Sequence, residues 1–223
     1  MNHLIVFDID GTLIDVQGAG HRAMDHAFEA SYGIAHAFDG ISFAGATDLG
    51  VLHTAAQKHH LRMTPEDVLA FKTLFTSHIQ RELQQSPGHA LPGLPDRLFE
   101  LQADGFDLAL GTGNFKTSAY LKLALFGMAG FFPVGSFGDD GMTRLDILTH
   151  GIERARTYYQ KNWDQITVLG DTPGDMAAAE KLGTVGLGVT TGAYSEAELK
   201  SAGAHAVLPN LADRDALINH LRP

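Results

Sequence analysis

Five short apolar runs recur along the chain, "LIVFD" (4–8), "FDLALGT" (106–112), "FFPVGSF" (131–137), "ITVLGD" (166–171) and "TVGLGVT" (184–190). A strand that is apolar at consecutive positions, rather than at every second one, is covered on both faces. Between these runs, "NFKTSAYLKLALFG" and "RLDILTHGIERARTYYQ" place Leu, Ile, Ala and Tyr at helical spacing. The alternation predicts an α/β fold, a doubly wound parallel sheet with helices packed on both faces.

One long interval breaks the alternation. From about Gly18 to Pro92 the sequence offers helix-like segments only, "AGHRAMDHAFEASYG", "TDLGVLHTAAQKHH" and "TPEDVLAFKTLFTSHIQREL". The last opens with Thr64 as an N-cap and Pro65 at the first helical position. This is too much helix for one crossover, so it reads as an inserted all-helical subdomain. The expected division is 1–17 and 93–223 for the α/β core and 18–92 for the insertion. Gly18 and Gly20 at the entrance, with Gly88 and Gly93 in "SPGHALPGLP" at the exit, suit hinges.

Composition narrows the partners. With 223 residues and a net charge of −10, the chain argues against binding nucleic acid or an anionic membrane surface. Its apolar runs are far shorter than the roughly 20 residues that span a bilayer. The N-terminus lacks the basic, apolar and small-residue pattern of a secretory leader, so a cytoplasmic location is expected. With no cysteine, thiolate metal sites and a cysteine nucleophile are ruled out. The twelve histidines show no metal-ligand spacing; "KHH" at 58–60 reads as the solvated end of a helix.

In open α/β sheets, ligands sit beyond the carboxyl ends of the strands. The first run ends in "DIDGT", the second in "GTGN" and the fourth in "GDTPGD". Three strand ends thus offer Asp8, Asp10, Thr112, Asp171 and Asp175 to one crevice. Each piece alone has a plain structural reading: D-G-T is a common turn, and "GDTPGD" a capped, Pro-led helix start. The ordered set is what carries a functional meaning.

"DIDGTLID" followed by a helical insertion, then "GTGN", a basic residue before the next helix, and "GDTPGD" resembles the haloacid dehalogenase-like superfamily. The likeness is to its phosphatase branch with a helical cap after the first strand, as in phosphoglycolate phosphatases, and covers nearly the whole chain in order. It implies a Rossmann-like core, 18–92 as the cap, and a magnesium-dependent phosphatase hydrolysing a small phosphorylated metabolite. A carboxylate is a competent nucleophile toward phosphorus, forming an aspartyl-phosphate that water then hydrolyses, and Asp8 fits that role. In similar phosphatases the second Asp, here Asp10, acts as general acid and then general base.

Several carboxylates facing a phosphate dianion repel it unless a hard cation intervenes, and Mg2+ takes such oxygen ligands. Asp8, Asp171 and Asp175 are the candidate carboxylates, and the resemblance adds the main-chain carbonyl of Asp10. Thr112 matches the second motif, where Gly113 lets backbone N–H groups approach the phosphoryl oxygens; Thr12 and Asn114 are further substrate-binding candidates. The third motif normally supplies a lysine, but "GSFGDDGMTRLDIL" offers Arg144 instead, with Lys116 and Lys122 as substitutes. Other readings of the same motifs are a phosphomutase of the β-phosphoglucomutase kind and a non-catalytic, phospho-accepting module built like a receiver domain. The partner is a small phosphorylated metabolite, with no nucleic acid and no membrane, and the chain is expected as a monomer or homodimer.

Overall fold

The computed structural model describes residues 2–222. The chain runs through β1 (His3–Phe7), β2 (Ile14–Asp15), α1 (Ala19–Tyr32), α2 (Asp48–Lys58), α3 (Pro65–Gln85), β3 (His89–Ala90), α4 (Asp96–Ala103), β4 (Asp107–Gly111) and α5 (Lys116–Leu125). It continues through β5 (Gly135–Ser136), α6 (Arg144–Tyr159), β6 (Gln165–Gly170), α7 (Pro173–Lys181), β7 (Val185–Val189), α8 (Glu196–Ser201), β8 (Ala206–Leu208) and α9 (Arg214–Leu221). Among the described residues no helix is long and apolar enough to cross a membrane.

Six strands form one parallel sheet in the order β5-β4-β1-β6-β7-β8. From β1 the chain builds outward through β4 and β5 on one side, then returns to add β6, β7 and β8 on the other. The reversal falls at β1, where an open α/β sheet leaves a crevice at its carboxyl edge. Consecutive residues of β1 serve different layers, as a doubly covered strand requires. Ile5 and Phe7 join a core with Leu101 of α4, Leu123 of α5 and Leu217 of α9. Leu4 and Val6 join a second core with Leu148 of α6 and Ala179 of α7.

Helices α1 and α3 pack along each other and α2 completes the insertion. Phe28, Phe38 and Phe71 meet near their edges, Phe28 lying 5.4 Å from Phe38 and 6.3 Å from Phe71. This apolar interior is continuous with the α4/α5/α9 face of the sheet. Thr64 caps α3 through a reciprocal box with Asp67, with Pro65 leading the helix.

Three local features differ from the sequence expectation. The run at 131–137 gives only the two-residue β5, because Ala129–Phe131 coils into a 3₁₀ turn and Pro133 has no N–H to donate. β8 has too short an apolar run to announce itself. The segment at 18–92 is not purely helical, since β3 near its exit pairs antiparallel with β2, Ile14 opposite Ala90 and Asp15 opposite His89. The entering and leaving chains are thereby tied into one ribbon. Gly18 and Gly88 both adopt left-handed backbone there, and a Cβ on Gly88 would lie 2.0 Å from the Asp15 carbonyl oxygen. Gly20, by contrast, lies inside α1 and is no hinge.

His3 in the central strand is 1 % exposed. Its Nε2 lies 2.8 Å from Thr167 Oγ1 and its ring meets Phe106 near edge-on at 5.2 Å. Burial lowers its pKa below the ordinary 6.5, because a charged imidazole cannot be solvated there. The unfolded chain therefore takes the proton first, so this contribution is full above pH 6.5 and is lost as pH falls below it. Replacing His3 by Gln should flatten the decline in unfolding free energy between pH 7.5 and 5.5, by up to about 1.4 kcal/mol at pH 5.5. Urea titrations of both proteins across that range measure it, and parallel slopes would refute it.

Candidate active site

Three strand ends converge. Asp8 follows β1, its N–H donating to Leu169 O at 2.9 Å; Thr112 follows β4, its N–H donating to Ser136 O at 3.1 Å; Asp171 follows β6. Asp175 stands in the first turn of α7 because Thr172 caps that helix and Pro173 opens it. All four are buried. Gly11 and Gly192 flank Asp171 so closely that a Cβ on either would fall 2.3 or 1.8 Å from its Oδ2. Glycine at both places is what lets two loops close over one carboxylate.

Arg144, the first residue of α6, reaches into this nest and is itself buried. Its Nη1 donates to Asp8 Oδ1 and to the Gly111 carbonyl, both at 3.1 Å. Its Nε lies 3.1 Å from Asp175 Oδ1, but neither atom makes a hydrogen bond. Three acids thus share one guanidinium. Burial pushes the Asp8 and Asp171 carboxyls above the usual range, and repulsion from neighbouring carboxylates pushes the same way, while Arg144 pulls both back.

This imbalance favours a cation. Oxygens of Asp8, Asp171 and Asp175 lie within 4.8 Å of one another. Hard carboxylate oxygens at that spacing, with Asp175 Oδ1 lacking a hydrogen bond, suit a magnesium-like ion. The other oxygen of Asp175 is engaged by its own helix cap, accepting from Thr172 Oγ1 at 2.7 Å and Thr172 N at 3.2 Å. Asp171 is less committed, accepting from the buried Thr12 hydroxyl at 3.3 Å. Thr12 therefore stands behind Asp171.

Asp10 is held on the open side, its side chain 42 % exposed. Lys122, on α5 and 3 % exposed, puts its Nζ 2.9 and 2.7 Å from the two Asp10 oxygens and 2.6 Å from Asn114 Oδ1. Asn114 closes the triangle by donating from Nδ2 to Asp10 Oδ2 and to Thr112 Oγ1, each at 2.8 Å. Of the three basic candidates, Arg144 lies at Asp8 and Lys122 at Asp10. Lys116 is exposed, with its Nζ above the Phe137 ring.

Gly113 marks where the insertion meets the core. A Cβ there would sit 2.1 Å from the Ala46 carbonyl oxygen. Asp48, at the start of α2, donates from its N–H to Gly113 O and accepts the Phe115 N–H, both at 2.7 Å. Burial pushes its carboxyl up to about 7, against the pull of Lys122. Lys72 of α3 also pairs with Asp139 of the core. The result is a roofed cavity of about 300 Å³, small-metabolite size, lined by Asp8, Asp10, Asp171 and Thr112 below and by residues of the insertion above.

Sequence reasoning missed Tyr194 in the cavity lining and Gly192 against Asp171. Asp48 reads locally as an ordinary acid in a first helical turn, and nothing in "TTGAYS" shows that it folds over Asp171. Only the T-D step after "FAGA" carried a signal, a loop leading into a helix.

Residues 3–183 match the sequence model of the haloacid dehalogenase-like hydrolases. The chain is 25% identical to a Dickeya dadantii protein named "Probable phosphatase IndB", over 96% of this chain and 92% of that one. It is 29% identical to a phosphoglycolate phosphatase of Vibrio cholerae, over 87% of each. Its fold superposes on the crystal structure of a hydrolase from Pseudomonas syringae with a TM-score of 0.72 and 23% identity, over 99% of this chain and 98% of that one.

Removing the shared guanidinium leaves buried carboxylates facing one another, so Arg144→Met should destabilise the fold by about 3–5 kcal/mol. Asp175→Asn added to that variant should recover part of the loss, because one buried charge goes with it. Denaturant titration of both variants provides the measurement; additive losses would show that the two side chains are not coupled.

Proposed function

This chain belongs to the haloacid dehalogenase-like hydrolase family, and on that premise we propose that it is a magnesium-dependent phosphatase acting on a small phosphorylated metabolite through an aspartyl-phosphate on Asp8. The observation that carries the reading is the pair of carboxylates in different settings. Asp8 is buried against Arg144, whereas Asp10 is held at the cavity by Lys122 and Asn114. Two acids whose surroundings set them apart can serve as nucleophile and proton carrier.

Arg144 holds Asp8 Oδ1, which leaves Oδ2 to attack phosphorus. The Asp8 O–P bond forms as the ester P–O bond breaks, and Asp10, protonated on Oδ1 in the reacting state while Oδ2 keeps Lys122 and Asn114, gives that proton to the departing alkoxide. Asp10, now ionised, takes a proton from water, which attacks the same phosphorus. Inorganic phosphate leaves and Asp8 is regenerated. Thr112 Oγ1 already accepts from Asn114, so its own hydrogen is free to donate to a phosphoryl oxygen. The Gly113 N–H, in the same turn, would join it.

Magnesium held by Asp8, Asp171 and the Asp10 main-chain carbonyl, with Asp175 in support, would neutralise charge on the transferring phosphoryl group. The residues 43–48 and Phe75 that line the cavity would limit the access of bulk water to the intermediate.

Metal-stripped protein should hydrolyse p-nitrophenyl phosphate only on addition of Mg2+. Asp8→Asn should lower kcat at least ~10³-fold with the circular dichroism spectrum unchanged, since the covalent route is lost. Asp10→Asn should cost about 10²–10⁴-fold. Turnover by Asp8→Asn at the wild-type rate, in protein checked for deamidation, would reject the nucleophile. A phosphoenzyme that resists water and passes its phosphoryl group to a sugar hydroxyl would favour the mutase, and no turnover on any ester the phospho-accepting module.

A further inference from the structure

The cavity has two walls of unlike chemistry. The strand-end wall holds the acids, Thr112 and Arg144, while Lys122 of α5 reaches between the walls, its Nζ 3.7 Å from where a Cβ on Gly20 would lie. The opposing wall is built from Asp15, Val16, His21, Phe43, Asp48 and Phe75. Among the described residues, no lysine or arginine from 15–90 lines it. Arg22 lies just behind Gly18, but its Nε donates to Glu82 at 2.6 Å and its Nη1 to the Gln17 carbonyl at 2.7 Å. Lys122 and Arg144 already face Asp10, Asp8 and Asp175.

Resting on the phosphatase reading above, we infer that this enzyme takes phosphate monoesters of uncharged alcohols with an apolar face, and discriminates against esters whose leaving group carries a second anion. A carboxylate on the leaving group would shed water beside Asp15 and Asp48, whose charges repel it and which no lysine or arginine from 15–90 offsets. An uncharged alcohol meets partners instead. Phe43, with the His21 ring near edge-on at 4.5 Å, offers aromatic surface to C–H faces or a ring, backed by the buried Phe75. Asp48 uses Oδ2 for the Phe115 N–H, leaving Oδ1 to accept from a substrate hydroxyl. The likeness to phosphoglycolate phosphatases therefore does not extend to the leaving group, since phosphoglycolate carries the carboxylate this wall repels.

The test compares kcat/KM with Mg2+ at pH 8, where Asp48 is ionised, for phenyl phosphate and ribose 5-phosphate against 2-phosphoglycolate and 3-phosphoglycerate. The uncharged pair should exceed the carboxylated pair by about ten-fold or more. Asp48→Asn keeps an acceptor for the Phe115 N–H and should narrow that ratio at least about three-fold by improving the carboxylated esters, whereas simple loosening of the roof lowers both classes alike. Phe43→Lys supplies the missing cation at another point on the wall and should narrow the ratio independently. Equal or better turnover of 2-phosphoglycolate overturns the inference and leaves the phosphatase intact, as does a ratio that neither variant moves. Hydrolysis of none of the four, nor of p-nitrophenyl phosphate, instead removes the phosphatase reading itself.

Discussion

Everything at the carboxyl edge of the sheet depends on one guanidinium placed among three buried acids. Arg144 contacts Asp8 and Asp175 and faces Asp171, and its own charge is stabilised by them although burial opposes it. Like-charged carboxylates within 4.8 Å would otherwise force protonation or opening of the site. Being the first residue of α6, behind the Thr143 cap, fixes where its side chain starts. The central strand, the helix cap and the charge nest are therefore one construction.

That nest stays undercompensated, which makes it receptive. A single positive charge cannot satisfy three carboxylates, so a divalent cation would bring the nest close to neutral before an anionic group joins it. Asp10 stands apart from this exchange because Lys122 and Asn114 hold it on the cavity side. The separation of two acids only two residues apart comes from what α5 brings to one and α6 to the other.

The insertion does more than cover the crevice. Its interior runs into the sheet's core, its two connections pair as β2 and β3, and Asp48 shares two main-chain hydrogen bonds with the Gly113–Phe115 turn. A movement of the roof is therefore felt at the turn that carries Thr112. On the proposed function, that contact would couple leaving-group choice to phosphoryl binding.

Much of this was legible in the sequence by itself. Consecutive apolar residues at 4–7 and 108–110 announced doubly covered strands, and Thr64-Pro65 and Thr172-Pro173 announced helix starts, because those signals depend on neighbours along the chain. Asp8, Asp10, Thr112, Asp171 and Asp175 were legible because strand ends in such a sheet must share one edge. Tertiary structure alone decided which base serves which acid, since Arg144 and Lys122 are 136 and 112 residues from their partners. It also decided that the short β2 and β3 pair, and that Gly192 closes over Asp171, for two-residue strands and a glycine turn have no periodicity to read. The identity of the roof's charges was always in the sequence. That they form a wall without a free cation is a property of distances between helices, which local chemistry does not encode.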